Sequence, residues 1–299
     1  MSMLPFDDRD GVIWFDGELR PWREAKLHVL SHALHYASCV FEGERSYNGV
    51  IFKMTEHHER LHTSARVLGF EIPYSVAEID AASLEVLRAN NIVDGYVRPV
   101  AWRGSEMMGV SAQQTTIHVA IAAWEWPAYF SPEARLKGIR MTVAPWRRPA
   151  PDTAPTNTKA AGLYMICTLS KHAAEAKGYS DCLMLDYRGR IAEATGANIF
   201  LLQRGELHTP IPDCFLDGIT RRTVIGLARE RGLKVIERAI MPAELAGTDE
   251  VFLTGTAVEV TPVAEIDRYK FTVGEITREL MTAYSELVQR ASAASASAA

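Results

Sequence analysis

Short alternating apolar runs broken by Asp-Gly and Asn-Gly pairs open the chain. Residues 12–15, then Asp16-Gly17, then Glu18 onward predict a hairpin, because Asp-Gly supplies the positive φ angles of a tight turn. Residues 39–47 and 50–52 around Asn48-Gly49 predict a second β pair. Helical spacing takes over at 55–68 and again at 75–90, where Ser75 and Glu78 are placed as a capping box. Residues 95–102 and 115–123 return to strand patterning. Strands, two helices and strands describe an α+β unit with helices on one face of an antiparallel sheet.

The pattern breaks at 124–132, a stretch dense in aromatics and proline, which predicts a connection between two domains. Beyond it come short strands at 140–143, 182–185, 198–202, 207–209, 234–237 and 250–253, with turns at Arg188-Gly189 and Arg204-Gly205. Helices at 160–177, 220–231 and 273–290 complete a second α+β layer. The expected boundaries are a small N-terminal domain at 1–125, an interdomain loop at 126–138, a larger C-terminal domain at 139–290, and a flexible Ala/Ser tail at 291–299.

Composition narrows the function. With 299 residues, 47% of them hydrophobic, the chain can fill two packed cores. A net charge of -5 with both signs interspersed leaves no basic stripe for nucleic acid. No apolar run is long enough to span a bilayer, and the acidic start does not resemble a signal peptide. Cys39, Cys167, Cys182 and Cys214 lack metal spacing and read as reduced core thiols of a cytoplasmic protein.

Candidate chemistry begins at Lys159. Pro145, Pro149, Pro151 and Pro155 hold its approach out of helix, and the small Ala160-Ala161-Gly162 lets a flat ligand come close to the backbone. The spacing predicts Lys159 at a loop-to-helix junction, where the positive end of the helix dipole disfavours another positive charge; that suits an amine used as a nucleophile. Glu193 is predicted in a turn between two strands, where a carboxylate could face a protonated ring nitrogen. Leu216-Asp-Gly-Ile-Thr220 frees the backbone at Gly218 and opens a helix at Ile219 and Thr220, a plausible phosphate cup. Thr254-Gly-Thr256-Ala257 offers another Gly turn. Singly, each has an ordinary reading as a solvated lysine, a turn carboxylate or a helix cap.

Together these stretches resemble the fold-type IV pyridoxal-phosphate enzymes. The run Glu193, Thr195, Asn198-Ile199-Phe200, Leu207, Thr209, Leu216, Gly218-Ile219 and Arg221 follows the class signature. Ser31-His-Ala-Leu-His-Tyr36 with Val40-Phe-Glu-Gly43, and Tyr96-Val-Arg-Pro99 with Met108-Gly-Val110, look like the branched-chain amino-acid aminotransferases within that class. The resemblance covers nearly the whole chain. It implies an α+β, two-domain fold of the D-amino-acid aminotransferase type, with a small N-terminal α/β domain and a larger C-terminal one that binds the cofactor.

It further implies pyridoxal 5′-phosphate held as a Schiff base on Lys159, the catalytic residue. Arg60, Tyr164, Glu193, Gly196, Asn198, Leu216, Gly218, Ile219, Thr220 and Thr256 would bind the cofactor. Tyr36, Phe41, Gly43, Tyr96, Arg98, Trp126, Tyr129, Thr256 and Ala257 would surround the substrate, with Val110 reaching in from a neighbouring subunit. The implied reaction passes amino groups between L-leucine, L-isoleucine or L-valine and 2-oxoglutarate. The implied partners are amino acids, 2-oxo acids and further copies of the chain, in a homodimer at minimum or a hexamer.

Within the fold the alternatives are D-amino-acid or (R)-amine transaminases and aminodeoxychorismate lyase. A remote rival lies in His58-Glu59-Arg60-Leu61-His62, which spells the H-E-x-x-H of zinc proteases. The resemblance instead explains Arg60 as a phosphate ligand, leaves both histidines on the helix surface and calls for no metal.

Overall fold

The structure, a computed structural model, describes residues 5–126 and 131–296. Tyr129 with the rest of 127–130 in the expected interdomain loop, and the last residues of the expected tail, lie outside the described residues. The chain forms two compact units: Met1–Pro127 with Thr158–Gly162 and Ala291–Ala299, and Ala128–Asn157 with Leu163–Arg290.

The first unit holds β1 (Val12–Phe15), β2 (Glu18–Pro21), α1 (His32–Tyr36), β3 (Cys39–Phe41), β4 (Glu44–Tyr47), β5 (Val50–Ile51), α2 (Met54–Val67), α3 (Val76–Ala89), β6 (Gly95–Arg103) and β7 (Ile117–Glu125). Its strands form one antiparallel sheet in the order β2-β1-β7-β6-β4-β5, with β3 also on β6. Both predicted hairpin turns form, with positive φ at Asp16, Gly17, Asn48 and Gly49. Ser75 caps α3, and its capping box with Glu78 is complete. Ile79, Ala82, Val86 and Leu87 of α3 pack with Val97, Val119 and Ile121 of the sheet. Each large aliphatic side chain buried there contributes about 1.5–3 kcal/mol.

The second unit contains α4 (Pro132–Lys137), β8 (Ile139–Val143), α5 (Tyr164–Glu175), β9 (Asp181–Leu185), β10 (Ile191–Ala194), β11 (Asn198–Gln203), β12 (Glu206–Pro210), α6 (Ile219–Glu230), β13 (Val235–Arg238), β14 (Glu250–Gly255), β15 (Glu259–Ile266), β16 (Tyr269–Lys270) and α7 (Glu275–Ala296). The strand order is β10-β9-β8-β15-β14-β11-β12-β13, and β10 also pairs with β11. Six strands therefore close into a ring, which removes their free edges. Ile139, Met141, Leu183, Ile199, Leu253 and Val263 belong to its core.

Several expectations change. Lys159 is grouped with the first unit rather than with residues 139–290, because Ala160 bridges to Val40 and the Phe41 amide donates to the Lys159 carbonyl at 3.2 Å. It stands outside any helix ahead of a 3-10 turn (Ala161–Leu163), so the helix expected from 160 begins at Tyr164. Glu193 lies in β10 and not in a turn, paired with Met184 on one side and Asn198 on the other. The expected loop at 126–138 contains α4, where Glu133 and Lys137 pair one turn apart at 2.7 Å. The supposed flexible tail continues α7 to Ala296, since alanine readily extends a helix already nucleated. No helix among the described residues is long and apolar enough to cross a membrane.

Candidate active site

In the first unit the Lys159 side chain is half-buried, and its Nζ lies 4.8 Å from the centre of the Phe41 ring. The Lys159 amide donates to Ser64 Oγ of α2 at 3.2 Å. Two elements thus hold the lysine's backbone while its amine meets an aromatic face.

The same sheet brings Phe41, Gly43, Tyr96 and Arg98 together. Arg98 lies over the Phe41 ring at 4.7 Å and the Tyr96 ring at 5.3 Å, and its Nη2 reaches the Tyr96 hydroxyl at 3.4 Å. The Arg98 Nε is buried and donates no hydrogen bond to any described residue. Gly43 has to be glycine, because a Cβ there would come 1.9 Å from the Tyr96 hydroxyl. Trp126 stacks obliquely on Tyr96, with ring centres 5.0 Å apart. The result is a mainly aromatic surface carrying one guanidinium.

Tyr36 and Val110 form a group of their own. Tyr36 donates to the Met108 carbonyl at 3.1 Å and stacks on His32, whose Nε2 meets the Gly109 carbonyl at 3.0 Å. Val110 is 84% exposed and Tyr36 45%. Arg60 holds the Glu42 carboxylate, with Nε and Nη2 on it at 2.6 and 2.9 Å.

In the second unit Glu193 is buried with Arg148, whose Nε lies 3.3 Å from its carboxylate. Burial opposes the Arg148 charge, but Glu193 together with Cys167 and Tyr164 outweighs it and raises the guanidinium above its usual range. Arg148 Nη1 also meets the Cys167 thiol at 3.7 Å, one helical turn from Tyr164. Burial pushes that thiol up to about 11.

Asn198 fixes the next piece. Its Nδ2 donates to the Leu216 carbonyl at 3.0 Å, and its Oδ1 accepts from the Gly218 amide at 3.2 Å. A Cβ on Gly218 would come 2.3 Å from that oxygen. Gly218 therefore begins α6 with no side-chain cap and no acidic residue in the first turn. The first helical bond is Arg222 N–H to the Gly218 carbonyl at 3.0 Å, so the Ile219, Thr220 and Arg221 amides precede the ladder. Arg221 is buried and holds Asp217, Glu237 and the Pro210 carbonyl. The turn after β14, which carries Thr256 and Ala257, begins at Gly255, where a Cβ would lie 3.4 Å from the Gly196 carbonyl.

The H-E-x-x-H motif forms no metal centre among the described residues. His58 is fully buried and not on the surface: its Nε2 faces Glu44 at 3.0 Å, its Nδ1 faces Asp80, and both ring nitrogens are committed to carboxylates. His62 stands partly exposed one turn on. Three further residues of these clusters escape sequence reasoning: Arg148 and His57 carry no motif, Glu42 lies inside the Val40–Gly43 motif without a role of its own, and only long-range pairing reveals what they hold.

Comparison with known proteins gives the family. The amino-transferase class IV family pattern matches residues 39–266. A branched-chain-amino-acid aminotransferase of Pseudomonas aeruginosa is 42% identical over 295 residues, covering 96% of this chain and 95% of its own. The crystal structure of the Escherichia coli branched-chain amino acid aminotransferase superposes with a TM-score of 0.91 at 39% identity, covering 94% of this chain and 95% of that one. The branched-chain amino acid aminotransferase of Thermobaculum terrenum, solved in its PLP form, superposes with a TM-score of 0.84 at 32% identity, covering 93% of this chain and 94% of that one.

Proposed function

The chain belongs to the class IV aminotransferases, and from that membership we propose that it passes the amino group of L-leucine, L-isoleucine or L-valine to 2-oxoglutarate on pyridoxal 5′-phosphate, releasing a branched 2-oxo acid and L-glutamate. The donor set fits the cofactor. Ahead of the α6 ladder stand amides free of any acidic neighbour in the first turn, which suit a phosphate. Glu193 is a buried carboxylate with a guanidinium behind it, which suits a protonated pyridine nitrogen.

When bound, the cofactor supplies an electron-withdrawing ring that makes the Cα–H of a joined amino acid acidic. Lys159 would be the attachment point, and its Nζ would carry the proton between the substrate Cα and the cofactor's C4′ carbon. Glu193 would hold the charge at the ring nitrogen, and Tyr164 would serve the ring's phenolic oxygen. Arg60, the Ile219 and Thr220 amides and Thr256 bind the phosphate. Asn198, Leu216, Gly218 and Gly196 hold the loops that present those groups.

Arg98 carries the substrate reading. A guanidinium laid on Phe41 and Tyr96 with a buried, unused Nε offers one strong anion contact on an otherwise apolar surface. Arg98, Tyr96 and the Thr256 and Ala257 amides therefore take carboxylates: the α-carboxylate of each substrate and the second one of glutamate. Phe41 and Trp126 line the aliphatic chain, with Tyr129 assigned to it by the family resemblance and Tyr36 joining Val110 in the group a partner would supply; each buried methylene gains about 0.8 kcal/mol.

The active protein is a homodimer at minimum, with Val110 supplied by the partner. The exposure of Val110 and Tyr36, beside exposed Leu30 and Leu34, supports that reading. Unpaired buried thiols at Cys167, Cys182 and Cys214 suit the cytoplasm.

A donor panel with 2-oxoglutarate, followed by the cofactor's visible absorption, tests the assignment. L-Leucine, L-isoleucine and L-valine should all react. Failure of all three beside activity on D-alanine or an (R)-amine would move the chain to another branch of its family. Borohydride reduction followed by peptide mass spectrometry should find the label on Lys159.

A further inference from the structure

Glu42 stands between Phe41 and Gly43 and is fully buried. Four donors converge on it: Arg60 Nε at 2.6 Å, Arg60 Nη2 at 2.9 Å, His57 Nδ1 at 2.7 Å and the Gly43 amide at 3.2 Å. Burial pushes its carboxyl up, but Arg60 and His57 outweigh burial and hold it well below the usual carboxylate range. An ionised carboxylate only accepts, so His57 presents Nδ1–H to it.

For Arg60 the consequence is directional. A guanidinium carries its donors in one rigid plane, and Glu42 engages two of them along one edge, so the acid sets where the others point. The backbone of Glu42 is fixed as well. Its amide donates to the Pro99 carbonyl at 2.8 Å, and the neighbouring Phe41 amide donates to the Lys159 carbonyl at 3.2 Å. One buried acid therefore joins Arg60 to the strand that lies along Lys159.

Resting on the reading in which Arg60 takes the cofactor's phosphate, we propose that Glu42 is a positioning residue for that phosphate: it sets the Arg60 fork in advance and ties it to the backbone beside Lys159. His57 assists by holding the second carboxylate oxygen. An Arg60 without this acid would keep its charge and lose its aim.

Equilibrium titration of the apoprotein, read by quenching of tryptophan fluorescence, tests this with two ligands: pyridoxal 5′-phosphate and pyridoxal, which lacks the phosphate. Glu42→Gln preserves shape but turns an N–H toward the donors. Its Kd for the phosphorylated ligand should rise roughly 10- to 100-fold, the worth of one or two charge-assisted hydrogen bonds. Its Kd for pyridoxal should stay put, and in an Arg60→Ala background the substitution should add no further loss. Equal weakening of both ligands would reduce Glu42 to a fold-supporting acid and overturn the proposal, as would an unchanged phosphate-ligand Kd. If Glu42→Gln shows no cooperative melting, Glu42→Asp takes its place. It keeps the charge one methylene further back and must show the same phosphate-selective loss, failing which the proposal falls. A wild-type protein that bound neither ligand would refute the cofactor reading itself, a result visible before any variant is made.

Discussion

Arg148 Nε lies 3.3 Å from the Glu193 carboxylate, and both side chains are buried in the second unit. The approach is an ion pair rather than an aligned hydrogen bond, since that Nε donates none by angle. Charge neutrality, more than geometry, is what the pair provides to its surroundings.

Removing one partner should therefore be costly. Arg148→Met takes a neighbouring positive charge from the buried Glu193 carboxylate, and urea unfolding of the apoprotein should show a loss of up to about 3–5 kcal/mol. Arg148→Lys, which keeps a cation but loses the fork, should lose less. An equal loss from both would mean that packing against Cys167 matters more than charge.

Gly218 and Gly226 lie in or beside the same helix and should respond in opposite directions. Gly218→Ala drives a Cβ to 2.3 Å from the Asn198 oxygen, which is itself held on the Gly218 amide, so stability should drop by about 1–3 kcal/mol and cofactor uptake should weaken. At Gly226, inside α6, an added Cβ meets nothing within 4 Å, and Gly226→Ala should gain about 0.5–1 kcal/mol. Thermal melts with and without added cofactor check both. A Gly218→Ala protein as stable and as avid as wild type would contradict the packing described.

These pairings mark the boundary between local and long-range information. The Asp16-Gly17 and Asn48-Gly49 turns and the Ser75 cap are legible in the sequence, because a few adjacent residues decide the backbone there. β10 is not legible: Ala192, Glu193 and Ala194 have little strand propensity, and β9 and β11 on either side impose the conformation. β15 hides behind Pro262, which argues against a strand in isolation; pairing with β8 begins only at Val263, one residue later. Lys159 stands out by its neighbours, yet its backbone is held by Phe41 and the Val40–Ala160 bridge, far away in sequence. Phe41, Tyr96 and Arg98 are named through family resemblance, and the sheet explains why they meet.

His58 makes one part of the stability pH-dependent. Burial lowers its pKa, but Glu44 and Asp80 outweigh burial and raise it above the ordinary histidine value, with Ser83 also in reach and His62 interacting with it electrostatically one turn on. A group whose folded pKa is raised stabilises the fold fully below its unfolded pKa of about 6.5, and that contribution fades as pH climbs through the folded value. The unfolding free-energy difference between wild type and His58→Gln should thus be larger near about pH 6 than near about pH 9. A difference that is flat or grows over that range would show that His58 is not charged in the folded protein.

Arg98→Ala separates the two halves of the proposed reaction. Glutamate and 2-oxoglutarate bring two carboxylates, whereas leucine brings one, so the loss of a single cation falls hardest on the acidic pair. A charge-assisted hydrogen bond is worth about 1.5–3 kcal/mol, which corresponds to a fall in kcat/KM for 2-oxoglutarate on the order of 10- to 100-fold. The leucine half-reaction keeps the Thr256 and Ala257 amides for its α-carboxylate and should fall less. Folding should suffer little, because the substitution also removes a buried Nε that donates to nothing among the described residues. Single-turnover absorbance changes with leucine and with glutamate, measured on the same preparation, resolve the two. Equal losses would place Arg98 on the shared α-carboxylate alone, and no loss in either would leave the second carboxylate of glutamate without its proposed partner.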